Sequence, residues 1–115
     1  MPLVDVTFDS DLTSADRARI AEVLCEVVPL AVECPEEPII GPPAAGDLEI
    51  RFHPRGADDV GELSVVVEVR TKRISSRVGN AQERADMIRD RLAELSIGPF
   101  GVWLMLIDGA WSQTD

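Results

Sequence analysis

The sequence is poor in aromatic residues and in the residue types that most often bind metals. Phe and Trp make up 4% of its 115 residues, Tyr is missing, and it has one His and two Cys. Cys25 and Cys34 have no second Cys/His pair near them, which argues against a zinc site and favours free thiols. We therefore expect no metal, and we interpret His53 and both cysteines as structural.

The sequence also shows no long apolar run and no signal-peptide pattern in its first residues. Its apolar stretches are short and interrupted by charge, so no transmembrane helix is predicted. The first residues, MPLVDVTFDSD, lack the basic-then-apolar order of a signal peptide. We expect a cytoplasmic protein whose residues 1–115 form a single domain.

Positive charge is scarce. The formal net charge is −10, and a field of this sign opposes nucleic acids and anionic membranes as partners. The exception is a basic group formed by Arg70, Lys72, Arg73 and Arg77. It is either a solvated strand end or a pocket for a small anion such as a carboxylate.

Hydrophobic periodicity predicts four strands and two helices. Period-2 alternation indicates strands, and apolar residues at helical spacing after capping-box patterns at Thr13 and Asn80 indicate helices. Pro29 should end or kink the first helix. The predicted strands cover residues 3–9, 48–54, 62–73 and 101–107, and a Pro- and Gly-rich loop covers residues 34–47.

The order of these elements is β-α-β followed by β-α-β, which indicates an α+β fold. Two helices can cover one face of a four-stranded sheet, leaving Trp103, Met105 and Ile107 on a bare face. Such a face favours self-association. Periodicity alone does not separate this arrangement from a ferredoxin-like split βαβ fold.

The opening Met-Pro-Leu-Val, a strand that begins directly after a proline, resembles the start of tautomerase-superfamily proteins. The segment from Arg77 to Arg84, RVGNAQER, is similar to the segment that opens their second helix, and the tail from Trp103 to Trp111 resembles their last strand and its extension. The resemblance implies duplicated β-α-β units, with three chains assembled as a homotrimer.

The resemblance also implies site residues. The family's catalytic amino-terminal proline matches Pro2, and its basic substrate-binding residue matches Arg77, with Arg51 a weaker match. The turn before the first helix lacks the arginine that several relatives carry there. Arg70 is a further candidate for binding a carboxylate, and Trp111 or Trp103 for an apolar wall that excludes water.

The expected chemistry is proton transfer between a carbon beside a carbonyl and the oxygen, which needs a base near neutrality. The implied function is a cofactor-free keto–enol tautomerase or isomerase of a small carboxylate, using the Pro2 amine exposed by loss of Met1. The same amine also permits covalent iminium chemistry. Two alternatives remain: a non-enzymatic trimeric binding protein that retains Met1, and a ferredoxin-like ligand-binding module.

Overall fold

The computed structural model describes residues 1–42 and 45–114 and is built around one four-stranded sheet. The strands are β1 (Leu3–Phe8), β2 (Glu49–Pro54), β3 (Val65–Lys72) and β4 (Phe100–Ile107). The helices are α1 (Ser14–Val32), the single turn α2 (Ser75–Val78) and α3 (Ala81–Ala93), with a short 3₁₀ helix at Ala45–Asp47. That 3₁₀ helix lies within the loop predicted for residues 34–47, of which 43 and 44 lie outside the described residues.

The strand order is β2-β1-β3-β4, and it settles the choice between the two predicted folds. β1 pairs with β2 in parallel, β3 pairs with β4 in parallel, and the central pair β1–β3 is antiparallel. The two strands of each β-α-β unit are therefore direct neighbours. In a split βαβ fold another strand would separate them, so the ferredoxin-like alternative is wrong.

The apolar residues of the strands and helices form the core on one face of the sheet. The alternation in β1 and β3 directs every second side chain toward α1 and α3, as the period of a strand requires. Both helices cover this face, which confirms the predicted fold class. The fully buried side chains of this core are Val4, Val6, Ile20, Leu24, Val27, Val28, Val65, Val67, Val69, Ile88 and Leu92.

Helix α1 begins as predicted but continues past its proline. The Thr13 hydroxyl accepts from the Asp16 amide, and the Asp16 carboxylate accepts from the Thr13 amide, both at 3.1 Å. The helix then runs through Pro29 to Val32. Pro29 removes one backbone donor, but the last turn is held by burial, since Pro29, Ala31 and Val32 are all buried against the core.

The capping box predicted at Asn80 is wrong. Asn80 precedes α3 but makes no side-chain cap hydrogen bond. Its Oδ1 instead accepts from Arg84 Nε at 2.7 Å. The predicted apolar stripe is partly confirmed, because Ile88 and Leu92 are buried while Leu95 lies past the end of the helix.

The strand predicted for residues 62–73 is shorter than expected at both ends. β3 begins at Val65, and Leu63 is 40% exposed rather than part of the buried alternation. The reason is that the carbonyl oxygens of Gly61 and Leu63 accept hydrogen bonds from Arg55 and so belong to the preceding turn.

The face of the sheet opposite the helices is open. Trp103, Met105 and Ile107 lie on this face, as predicted, and the register of β3 with β4 pairs them with Glu68, Arg70 and Lys72. Trp103 is 66% exposed. Within the described part of the chain, no helix combines the length and apolar character needed to cross a membrane.

Candidate active site at the start of β1

Pro2 lies buried directly before the central strand β1, where its carbonyl oxygen accepts from the Glu49 amide at 3.1 Å. It lines a cavity of about 310 Å³, called here the Pro2 cavity. Arg77 lines the same cavity, so the fold brings together two residues that lie 75 positions apart in the sequence. The remaining lining is Met1, Pro29, Val32, Glu33, Glu37, Pro38, Ile39, Ile40 and Asp47.

Every nitrogen of the Arg77 guanidinium already donates a hydrogen bond. Nε donates to the Val32 carbonyl at 2.7 Å and Nη1 to the Lys72 carbonyl at 2.9 Å. Nη2 donates to Glu37 Oε2 at 3.2 Å, and the side chain is 2% exposed. Arg77 therefore joins the end of α1 to the end of β3, and neither edge of its guanidinium is open to a bidentate carboxylate in this arrangement.

The lining of the Pro2 cavity is acidic rather than cationic. Among the described residues, Glu33, Glu37 and Asp47 line it together with one cation, Arg77, whose charge faces Glu37. Sequence reasoning expected cations around Pro2 to lower the pKa of its amine. In this cavity the neighbouring carboxylates act in the opposite direction, because a negative charge favours the protonated amine.

Met1 lies beside the Pro2 nitrogen, because the two are covalently bonded. It lines the Pro2 cavity and two others. The Arg51 cavity, of about 400 Å³, is lined by Met1, Leu3, Val4, Asp5, Glu49, Arg51, Trp111 and Gln113. The Lys72 cavity, of about 310 Å³, is lined by Met1, Leu3, Glu37, Arg70, Thr71, Lys72, Ile107, Gly109, Ala110 and Trp111.

The five residues predicted for the site are therefore grouped around Met1. Pro2 and Arg77 share one cavity, Arg51 lines the second, Arg70 the third, and Trp111 lines both of the last two. The other tryptophan considered as a wall, Trp103, lines none of these three cavities.

The two arginines on the open face are already paired. Arg51 Nε lies 3.9 Å from Glu49 Oε1 and is largely exposed, a kind of pair that contributes little stability. Arg70 binds two carboxylates, with Nη1 at 2.7 Å from Asp5 and Nη2 at 2.9 Å from Glu68. Asp5 also lies 2.6 Å from His53 Nε2, which fits the structural role expected for that histidine.

From the sequence, Lys72 belongs to the basic group that could form an anion pocket, but it is not among the five candidate site residues. It lines the Lys72 cavity, and among residues 1–42 and 45–114 its ammonium has neither an ion pair nor a hydrogen bond. One signal for it was present in the sequence: Lys72 is the only lysine in the chain. All other side-chain cations, His53 aside, are arginines.

The two cysteines lie outside these contacts as free thiols, as predicted. Cys34 is buried, and Cys25 is partly buried on α1. Burial, helped by the nearby Asp47 carboxylate, raises the pKa of the Cys25 thiol above its ordinary value of 9.0. A raised pKa keeps the thiol protonated near neutrality and argues against a nucleophilic role.

Comparison with solved structures finds several proteins of similar fold, whereas comparison of the sequence finds no match. No family model and no curated protein matches the sequence. FG41 malonate semialdehyde decarboxylase inhibited by 3-bromopropiolate matches with a TM-score of 0.70 and 17% identity, over 98% of this chain and 89% of that one. A 5-carboxymethyl-2-hydroxymuconate isomerase from Deinococcus radiodurans R1 matches with a TM-score of 0.68 and 15% identity, over 99% and 90%.

A fused 4-OT, solved as a symmetric trimer, matches with a TM-score of 0.65 and 16% identity, over 91% of this chain and 85% of that one. These proteins are members of the tautomerase superfamily. The chain therefore has the tautomerase fold, and the resemblance stated from the sequence is confirmed at the level of fold.

Proposed function

We propose that the protein is a cofactor-free cytoplasmic tautomerase or isomerase of a small keto or enol carboxylate, with the Pro2 amine as its general base. The observation that carries the proposal is the position of Pro2, which is buried at the start of a central strand, lines the Pro2 cavity, and is bonded through its nitrogen to Met1, a residue that lines all three cavities. The isomerase and decarboxylase among the similar structures support a reaction of this class.

The chemistry requires that Met1 be removed. While Met1 is attached, the Pro2 nitrogen is a tertiary amide without basicity. Removal turns it into a secondary amine and takes away the side chain that all three cavities share. The free amine then accepts a proton from the carbon beside the substrate carbonyl, and the resulting ammonium returns a proton to the other end of the enolate.

The environment acts on this amine in two directions. Burial disfavours the ammonium form and lowers the pKa of the amine, as does the positive charge of Lys72 and Arg70 on the side of the Lys72 cavity. Glu33 and Asp47 in the Pro2 cavity, and Glu37, which lines both cavities, oppose this effect. The substrate carbonyl therefore belongs on the Lys72 side, where Trp111 supplies an apolar wall.

The same proposal includes a homotrimer. The open face of the sheet carries exposed apolar side chains that a single chain leaves in water. The fused 4-OT proteins with this fold were solved as trimers. Covering this face in an assembly would remove the exposed apolar area and exclude water from the cavities that adjoin it.

Intact mass and turnover test the enzyme proposal. Cell-made protein should have the mass expected after loss of Met1, and it should tautomerise enol-phenylpyruvate. Pro2→Ala should abolish this turnover, whereas Pro54→Ala, at the exposed end of β2, should not. Normal turnover by Pro2→Ala would show that the amine is not the base.

The second candidate is a non-enzymatic binding protein that retains Met1. The observation in its favour is that Arg77, the expected substrate-binding residue, is occupied by Val32, Lys72 and Glu37. This candidate predicts that cell-made protein keeps Met1 and stays inactive after the methionine is removed by an aminopeptidase. Tautomerisation by the trimmed protein would exclude it.

A further inference from the structure

The cations around Met1 differ in what they already bind. Arg77 faces Glu37 and two carbonyl oxygens, and Arg70 faces Asp5 and Glu68. Arg51 faces Glu49 at 3.9 Å. Lys72 also lines one of the three cavities, but its side chain has no ion pair or hydrogen bond with any described residue. An anion entering from solvent would bind it without breaking an existing pair.

The walls next to Lys72 define what else a ligand would contact. The Lys72 cavity includes the apolar side chains of Leu3, Ile107 and Trp111. It also adjoins Met1, whose loss would open it toward the Pro2 nitrogen. A ligand held at Lys72 by an anionic group would thus have an apolar or planar body against Trp111.

The other charges near this position disfavour a second anionic group. Glu37 lines the same cavity, and Asp5 and Glu49 line the adjoining Arg51 cavity. A second carboxylate would meet these acids, or would have to displace one of them from an arginine.

We propose that Lys72 binds the substrate carboxylate and thereby selects monocarboxylates with an apolar or planar body over dicarboxylates. This inference rests on the proposed function, because it places the substrate beside Pro2. It assigns the carboxylate to a residue other than Arg77, which instead holds the fold around the site. A single ammonium gives one point of attachment, whereas an arginine guanidinium could bind the carboxylate in bidentate fashion.

Binding measurements test this assignment without requiring turnover. In protein lacking Met1 and carrying Pro2→Ala, the dissociation constant for phenylpyruvate is measured by calorimetry. Lys72→Met should raise it about 10- to 100-fold, as expected for loss of a charged hydrogen bond. Lys72→Arg should stay within about threefold. Arg89→Met, an equal charge change on an exposed part of α3, should leave it unchanged.

The dicarboxylate 2-oxoglutarate should bind the unsubstituted site at least about tenfold more weakly than phenylpyruvate. Unchanged phenylpyruvate binding by Lys72→Met, or equal affinity for the two ligands, would overturn the inference. These outcomes are separate from failure of the proposed function, which is shown by normal turnover in the single Pro2→Ala variant.

Chemical labelling provides a second readout, because Lys72 is the only lysine. After removal of Met1 the amino terminus is a secondary amine, so Lys72 is the only primary amine in the chain. Its modification by trinitrobenzenesulfonate should slow when phenylpyruvate is present and should be unaffected by benzylamine. Equal labelling rates with and without phenylpyruvate would contradict binding at Lys72.

Discussion

Arg77 Nε donates to the carbonyl oxygen of Val32 at 2.7 Å, which joins α2 to the end of α1 across 45 positions of sequence. Arg84 contacts the same helix end, with Nη1 at 2.9 Å from the Ala31 carbonyl and 2.6 Å from that of Glu33. The last turn of α1 has no basic residue of its own. Two arginines from the second β-α-β unit therefore satisfy carbonyl groups that a helix C-terminus leaves unpaired.

Arg77→Met should destabilise the protein strongly. The Arg77 side chain is buried, and the change leaves the Val32 and Lys72 carbonyls and the Glu37 carboxylate without their hydrogen-bond donor. We expect the free energy of unfolding to fall by about 3 kcal/mol, measured by urea denaturation. Arg89→Met, an exposed arginine with neighbouring acids on α3, should change it by less than about 0.5 kcal/mol. A similar small loss for Arg77→Met would contradict the structural role.

Gly98→Ala should also destabilise, for a local reason. Gly98 has φ +82°, and an added Cβ would lie 2.9 Å from Ser64 Oγ. Left-handed backbone alone costs a non-glycine residue about 1–2 kcal/mol. Thermal unfolding should show this loss of stability. Adding Ser64→Gly should recover only the part of the loss that comes from the contact between the new Cβ and the Ser64 side chain.

Gly79→Ala is the matched control for Gly98→Ala. Gly79 has φ −67° and open space at its Cβ position. Its substitution should be neutral or slightly stabilising, because alanine restricts the unfolded chain. Equal losses at the two glycines would show that the backbone angle is not the cause.

The sequence allowed the local features of the fold to be predicted because they depend on neighbouring residues. Strand alternation indicated the open face with Trp103, and Thr13 and Asp16 indicated the start of α1, since these patterns act within a few positions. The position of Pro2 directly before a strand followed from the same local pattern together with the resemblance, whereas the central place of that strand depends on the strand order.

The partners of the site residues could not be predicted in this way. Arg77 binds a carbonyl 45 positions away and Arg70 a carboxylate 65 positions away. Whether an arginine is open to a ligand or occupied by the fold depends on such distant contacts. The same reason explains Asn80, whose side chain binds Arg84 because that arginine is held in place by carbonyl groups of α1.

The capping box at the start of α1 should produce a pH-dependent contribution to stability. Hydrogen bonds from the Thr13 amide and hydroxyl, together with Arg19, lower the pKa of Asp16 below its ordinary value of 3.8. A group whose pKa is lower in the folded state stabilises that state above its unfolded-state pKa. This contribution is lost as the pH falls through the folded-state pKa.

Asp16→Asn should accordingly lower the melting temperature at pH 7, and the difference from the unsubstituted protein should shrink as the pH falls below 3.8. Asp58→Asn, the same change in the exposed turn between β2 and β3, should leave the melting temperature at pH 7 nearly unchanged. Melting curves by circular dichroism between pH 2 and pH 7, roughly the range in which a carboxyl group titrates, provide the measurement. A difference that is constant with pH would contradict the assignment to Asp16 ionisation.

The proposed trimer depends on the open face of the sheet, and Trp103 provides the sharpest test of it. Trp103 lies in the middle of β4 with 66% of its surface exposed, opposite Glu68. Trp103→Glu places a second carboxylate beside Glu68 and removes the largest apolar side chain of β4, so an assembly that covers this face should dissociate. Light scattering coupled to gel filtration should show a trimer for the unsubstituted protein and a monomer for Trp103→Glu. Met87→Glu, an equally polar change at an exposed position on α3, should remain trimeric because α3 covers the opposite face. A Trp103→Glu trimer would show that the chains associate through another surface.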